Sequence, residues 1–154
     1  MYTLPHSPFA VTRPLWRGLA TALVTLLLSV SALAAPLSPQ EVKNVREVVQ
    51  AQLAAFAVDD AAKAFSYAAP NVRKSLASAE LFMALVRDQY GVVYRPASVA
   101  FMKPVWHGDM VLQPVQMSDA EGAAWLATYT LQRQKNKQWR ITGCFVQSTN
   151  GRMV

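Results

Sequence analysis

Between Val42 and Phe56 the apolar residues Val42, Val45, Val49, Leu53 and Phe56 recur at spacings of three and four, which places them on one stripe of an α-helix. Just before the stripe stands Ser38-Pro39-Gln40-Glu41. Ser at the N-cap, Pro at the first helical position and Glu at the third form a reciprocal capping box, so a helix is predicted to begin here and run to about Ala57. Asp59-Asp60 is expected to end it and to cap a second helix, Ala61 to Ala68, with Ala64, Phe65 and Ala68 inward and Pro70 as its stop. Ser78 and Glu80 open a third, with Leu81, Phe82, Leu85 and Val86 as the buried face and Gly91 as the terminator.

After Gly91 the period shortens to two, the repeat of a strand with one buried face. Four strands are predicted, near Ser98 to His107, Met110 to Met117, Ala123 to Arg133 and Gln138 to Gln147. Turns at Gly108-Asp109, Asp119 to Gly122 and Lys135 to Lys137 are short enough to make the strands an antiparallel meander. Trp125, Ala127, Tyr129 and Leu131 share one face of the third strand, and Trp139, Ile141 and Phe145 one face of the fourth, so that face is expected to pack on the helices. The opposite face, with Leu126, Thr128, Thr130, Arg140 and Thr142, suits a surface open to a partner. Pro104 and Pro114 each remove a ladder donor, which points to a bulged or edge position for the first hairpin. If Gly143 marks a bulge, parity flips and Cys144 turns inward. The expected fold class is α+β, with three N-terminal helices packed on a curved four-stranded antiparallel sheet.

Upstream, Leu19 to Ala34 is an apolar run behind Arg13 and Arg17 that ends in Ala32-Leu33-Ala34. A basic flank, a core of roughly 7–15 apolar residues and small residues at the cut are the build of a secretory signal peptide. Thr21, Thr25, Ser29 and Ser31 interrupt the run, which falls short of the roughly 20 apolar residues of a spanning helix. Cleavage after Ala34 and a periplasmic or secreted product are expected, with an N-terminal membrane anchor as the alternative. The chain then divides into a signal peptide (1–34), a lead and first helix cap (35–41), one α+β domain (42–147) and a C-terminal tail (148–154). Contact with the membrane is expected only in passing, through the signal peptide.

Cleavage leaves 120 of the 154 residues, enough for a single core. Only Arg13 and Arg17 leave with the signal, so 13 basic side chains remain against 9 acidic ones. That mild excess is scattered, and its densest group, Arg133, Lys135 and Lys137, flanks a turn, so nucleic acid is not an expected partner. Cys144 is the only cysteine, which rules out an internal disulfide and a thiolate metal site. His107 is the only histidine after the signal and stands beside the Gly108-Asp109 turn; with no clustered His, Asp and Glu around it, no metal centre and no catalytic triad are expected. No cofactor motif is present, and no glycine-rich phosphate loop. Asp59 and Asp60 are the only adjacent acidic pair downstream of the signal, and capping suffices to explain them.

Several short motifs carry a resemblance. Gln52-Leu53-Ala54-Ala55-Phe56, Asp59-Asp60, Ala64-Phe65, Tyr94-Arg95-Pro96, Ala124-Trp125-Leu126, Tyr129 to Gln134 and Trp139 to Cys144 are together similar to the bacterial family designated domain of unknown function 4864, over about Val42 to Phe145. Lys135-Asn136-Lys137-Gln138 departs from it at a turn where members often carry Asp-Gly. The order of three helices and a curved sheet also resembles the cone of nuclear transport factor 2-like and SnoaL-like proteins. The family resemblance implies a typically exported bacterial protein, and the cone resemblance a pocket between the helices and the concave sheet, of a kind in which related enzymes use an Asp or His base and Tyr donors.

Tyr90, Tyr94, Arg95, Trp125 and Tyr129 form the candidate recognition set, in which aromatic faces supply apolar contact and Arg95 a fork for an anion. No catalytic residue is assigned. The sequence therefore reads as an exported, non-catalytic module that binds a small ligand, apolar with an anionic end, or a protein. The alternatives are a pocket enzyme of the isomerase or dehydratase type, and a homodimer or accessory subunit that uses the sheet face. The export reading predicts that mass spectrometry of the exported species finds Ala35 as its first residue; an intact chain from Met1 held in the membrane would establish the anchor instead.

Overall fold

The structure, a computed structural model, describes residues 36–149, so the expected signal segment and the last residues of the tail lie outside it. The first helix, α1, spans Pro39–Ala57 and begins with the capping box its sequence announces. The amide of Ser38 donates to Glu41 Oε2 at 2.9 Å while the Glu41 amide donates to Ser38 Oγ at 3.3 Å, so two otherwise orphaned donors are satisfied. Its stripe buries Val45, Val49, Leu53 and Phe56 with Gln52 beside them; Val42 is half-buried.

Four shorter helices follow where two were expected: α2 (Ala61–Ser66), α3 (Pro70–Leu76), α4 (Ala79–Gln89) and α5 (Gly91–Tyr94). Two residues taken for terminators are starts. Pro70 occupies the first turn of α3, where its missing N–H costs nothing and its fixed φ favours the helix. Gly91 opens α5 after a break at Tyr90, whose φ −129° and ψ 46° are not helical. In α4 the buried face is Phe82, Met83 and Val86; Leu81, expected inside, is 59% exposed, because the helix is rotated toward Met83.

The sheet has five strands among the described residues: β1 (Ser98–Phe101), β2 (Val105–His107), β3 (Met110–Ser118), β4 (Ala124–Arg133) and β5 (Trp139–Ser148). All pairs are antiparallel, in the order β1-β3-β4-β5, and β2 also lies along β3. The expected first strand is thus two strands on one edge, divided at Met102–Pro104 where proline cannot donate. The gap is bridged from within: buried Gln113 donates its Nε2 to the carbonyls of Met102 and Pro114, both at 2.8 Å. At the other edge, the link between α2 and α3 pairs with β5. Ile141 donates to Tyr67 O at 2.9 Å, and Ala69 donates to Ile141 O at 2.7 Å.

Between β4 and β5 the register slips by one residue: Thr130 faces Gly143 and Leu131 faces Ile141, so Thr142 is the extra residue of a bulge. Its hydroxyl lies 3.1 Å from the carbonyl and 2.9 Å from the hydroxyl of Thr130. Parity therefore flips along β5. Trp139 and Ile141 face the helices with Val111, Val115, Ala127, Tyr129 and Leu131, and beyond the bulge Cys144 turns inward. Phe145, expected in the core, is 65% exposed on the outer face for the same reason. There it is flanked by Pro114, Thr128, Leu126 and Gln147 across the ladder, an uncharged strip. The turn from β4 to β5 takes the place of an Asp-Gly turn by holding Lys137 at φ 65°. Among the described residues no helix is long and apolar enough to cross a membrane.

The bulge sets opposite expectations for two aromatic residues on one strand. Trp139, 3% exposed with its ring 5.8 Å from that of Trp106, should cost about 3–5 kcal/mol when replaced in Trp139→Ala. Phe145→Ala should stay within about 0.5 kcal/mol of the parent in the same denaturation experiment.

Candidate functional site

On the inner side of the sheet a cavity of about 260 Å³ lies between α1, α3, α4, α5 and the two strands β4 and β5. Its walls are mostly hydrocarbon: Phe56, Val72, Phe82, Leu85, Val86, Val93 and Ile141. Four polar side chains border it: Tyr90 at its edge and, each brought by a different element, Gln52, Cys144 and Tyr129. Gln52, on the buried stripe of α1, commits its Nε2 to Ala64 O at 3.1 Å and keeps its oxygen as an acceptor. Cys144, carried inward by the bulge, has a thiol that burial pushes up to about 12, so it remains neutral and a poor nucleophile. Tyr129, opposite Cys144 in the ladder, is 1% exposed, and its hydroxyl interacts only weakly, with the Cys144 thiol, and makes no full hydrogen bond. Burial raises the Tyr129 hydroxyl well above the usual phenol range, so it stays protonated and able to donate.

A second depression, of about 390 Å³, adjoins the first along the same strands. Trp125 of β4, Val146 of β5 and Val92 of α5 line it, with Arg95 on one side and the β3–β4 loop residues Asp119 and Glu121 on the other. Asp119 is occupied in shaping this wall: its Oδ2 accepts from Trp125 Nε1 at 2.8 Å and its Oδ1 from the Ala123 amide at 2.8 Å. The Trp125 bond, first, and the backbone amides of the loop hold its carboxyl below the ordinary range. Tyr90 borders both spaces.

The five candidate residues are therefore not one set. Tyr129 belongs to the cavity, Arg95 and Trp125 to the outer groove, and Tyr90 to both. Tyr94 lines neither; it is drawn away by Asp59, which the sequence presented as a cap. Capping of α2 falls to Asp60 alone, which accepts from the Lys63 amide at 2.9 Å. Asp59 sits at φ 57° after α1 and turns its carboxylate to α4 and α5. It accepts hydrogen bonds from Tyr94 Oη, from Arg87 Nη2 at 2.7 Å and from Arg95 Nη2 at 3.1 Å. Both guanidinium groups also lie over the Tyr94 ring, at 5.3 and 4.9 Å from its centre. No local motif marks this hub, because Asp59 lies 28 or more positions from each of its three partners. His107 is exposed at the end of β2, beside the β2–β3 turn, and no metal-binding group of His, Cys, Asp and Glu occurs among the described residues.

Residues 38–154 match the family model described as Domain of unknown function (DUF4864). The chain belongs to this family. No curated protein and no solved structure matches it.

Inside the family's fold, Asp59 ties the end of α1 to the helices that wall the cavity, and this tie is sensitive to acid. The Tyr94 hydroxyl, then Arg87 and Arg95, hold its carboxyl below its ordinary 3.8. A carboxyl lowered in the folded state contributes stability above its unfolded value and loses it as pH falls through the folded value. Asp59→Asn should therefore flatten the acid limb of stability against pH relative to the parent, the difference between the two shrinking as pH falls below 3.8, as read from denaturation midpoints across the range.

Proposed function

We propose that this protein is an exported binding module that holds a small, neutral, largely apolar molecule, or the apolar part of a larger one, in the cavity between its helices and sheet. The order of helices and curved sheet supports the reading of a nuclear transport factor 2-like cone, and the Leu19–Ala34 run supports export. One observation carries the assignment: the buried, protonated Tyr129 hydroxyl that borders the cavity with no partner stronger than the weakly interacting Cys144 thiol. Leaving a buried donor unpaired costs roughly 1–3 kcal/mol, which a ligand carbonyl or ether oxygen would recover. Gln52 supplies the complementary acceptor, and no charged side chain lines the space, so the buried part of the ligand is neutral. The lining among the described residues offers no carboxylate or imidazole and its thiol is neutral, which favours binding over proton-transfer chemistry.

Tyr129→Phe separates the two roles of the hydroxyl. Without ligand the variant should be as stable as the parent or up to about 1 kcal/mol more stable, since an orphaned donor has been removed. Its affinity for a small aromatic ketone such as acetophenone, measured by isothermal titration calorimetry, should fall by roughly tenfold. A destabilised variant with unchanged affinity would mean that the hydroxyl is structural and the cavity is not its binding partner's site.

A further inference from the structure

The cavity, at about 260 Å³, lies below the roughly 300–1,000 Å³ of pockets that take a whole ligand. The adjoining groove adds about 390 Å³, and the same three elements build both spaces in the same order. On β4 Tyr129 faces the cavity and Trp125 the groove; on β5 Cys144 faces the cavity and Val146 the groove; on α5 Val93 faces the cavity and Val92 the groove. Only Tyr90 lines both. It stands at the break between α4 and α5, half-buried, and its hydroxyl makes no hydrogen bond among the described residues. A side chain at a helix break with no polar tether can change rotamer without breaking a bond.

We infer that cavity and groove are two compartments of one site, that the Tyr90 ring is the movable wall between them, and that the site takes an elongated molecule with a neutral carbonyl-bearing end inside and an anionic end outside. This rests on the cavity reading given above. The anionic end is assigned to Arg95, on the wall opposite the groove's two carboxylates Asp119 and Glu121, which exclude an anion from their side; Arg95 gives one Nη2 hydrogen bond to Asp59 and keeps its other N–H groups, and its side chain is 60% exposed. Arg binds carboxylates through just such a planar set of donors. Trp125, fixed by Asp119, offers its indole as the floor for the connecting chain.

Two matched probes test this on the purified chain: acetophenone, and an ω-benzoylalkanoate, which carries the same phenyl ketone on a chain ended by a carboxylate. Calorimetric binding and its weakening in Tyr129→Phe report the cavity, and the emission lost in Trp125→Phe reports the groove. Both probes should bind and should weaken in Tyr129→Phe; the benzoylalkanoate alone should change Trp125 emission, and it alone should weaken by about tenfold or more in Arg95→Ala or Arg95→Gln. Tyr90→Ala should speed its association at least severalfold. If the benzoylalkanoate binds and weakens in Tyr129→Phe while Trp125 emission, the Arg95 variants and Tyr90→Ala leave its binding unchanged, the two-compartment inference is overturned and the cavity reading stands. If neither probe binds, or neither weakens in Tyr129→Phe, both readings are overturned.

Discussion

One extra residue in β5 decides what the helices meet. With Thr142 bulged out and tied to Thr130, the strand shows Ile141 and Cys144 to the interior instead of Ile141 and Phe145. A large ring at that point would occupy the space between β5 and α4; a thiol leaves it open. The cavity thus follows from a pairing irregularity as much as from the helices above it, in keeping with the frequency of bulges beside binding sites. The same slip sets Cys144 opposite Tyr129, so the polar groups bordering the space are products of register.

Much of the backbone is legible from local pattern. The capping box at Ser38, the stripe of α1 and the turns between strands depend on neighbours in sequence, and they stand where the pattern places them; the change of period comes later than Gly91, after α5, with strand from Ser98. Proline and glycine were harder to read, because each can end one element or begin the next: Pro70 and Gly91 begin theirs. Parity on β5 was legible only as a condition, since Gly143 marks a bend without saying whether a residue is gained. Leu81 and Met83 are both apolar, and tertiary packing buries the less hydropathic of the two.

The candidate residues show the same division. Aromatic side chains at Tyr90, Trp125 and Tyr129 were marked by type and do face the spaces beneath the sheet. Asp59 was not, because its role as an acceptor for Arg87, Tyr94 and Arg95 exists only once α1, α4 and α5 are assembled. Its consequence for the site is positional: it anchors both sides of the break at Tyr90, with Arg87 before it and Tyr94 and Arg95 after. The ring between them is left as the part of this corner without a polar anchor.

The link between α2 and α3 closes the β5 edge by pairing Ala68 with Ile141, two residues far apart along the chain. Contacts so distant in sequence form late, because loop-closure entropy has to be overcome before they contribute. The helical half of the protein can therefore acquire its local structure early and still wait for β5 to dock. Until then the hydrocarbon walls destined for the interior face solvent, and the β5 edge that the α2–α3 link later covers is open to other chains. For this fold the interval of greatest vulnerability is the one before β5 takes its place.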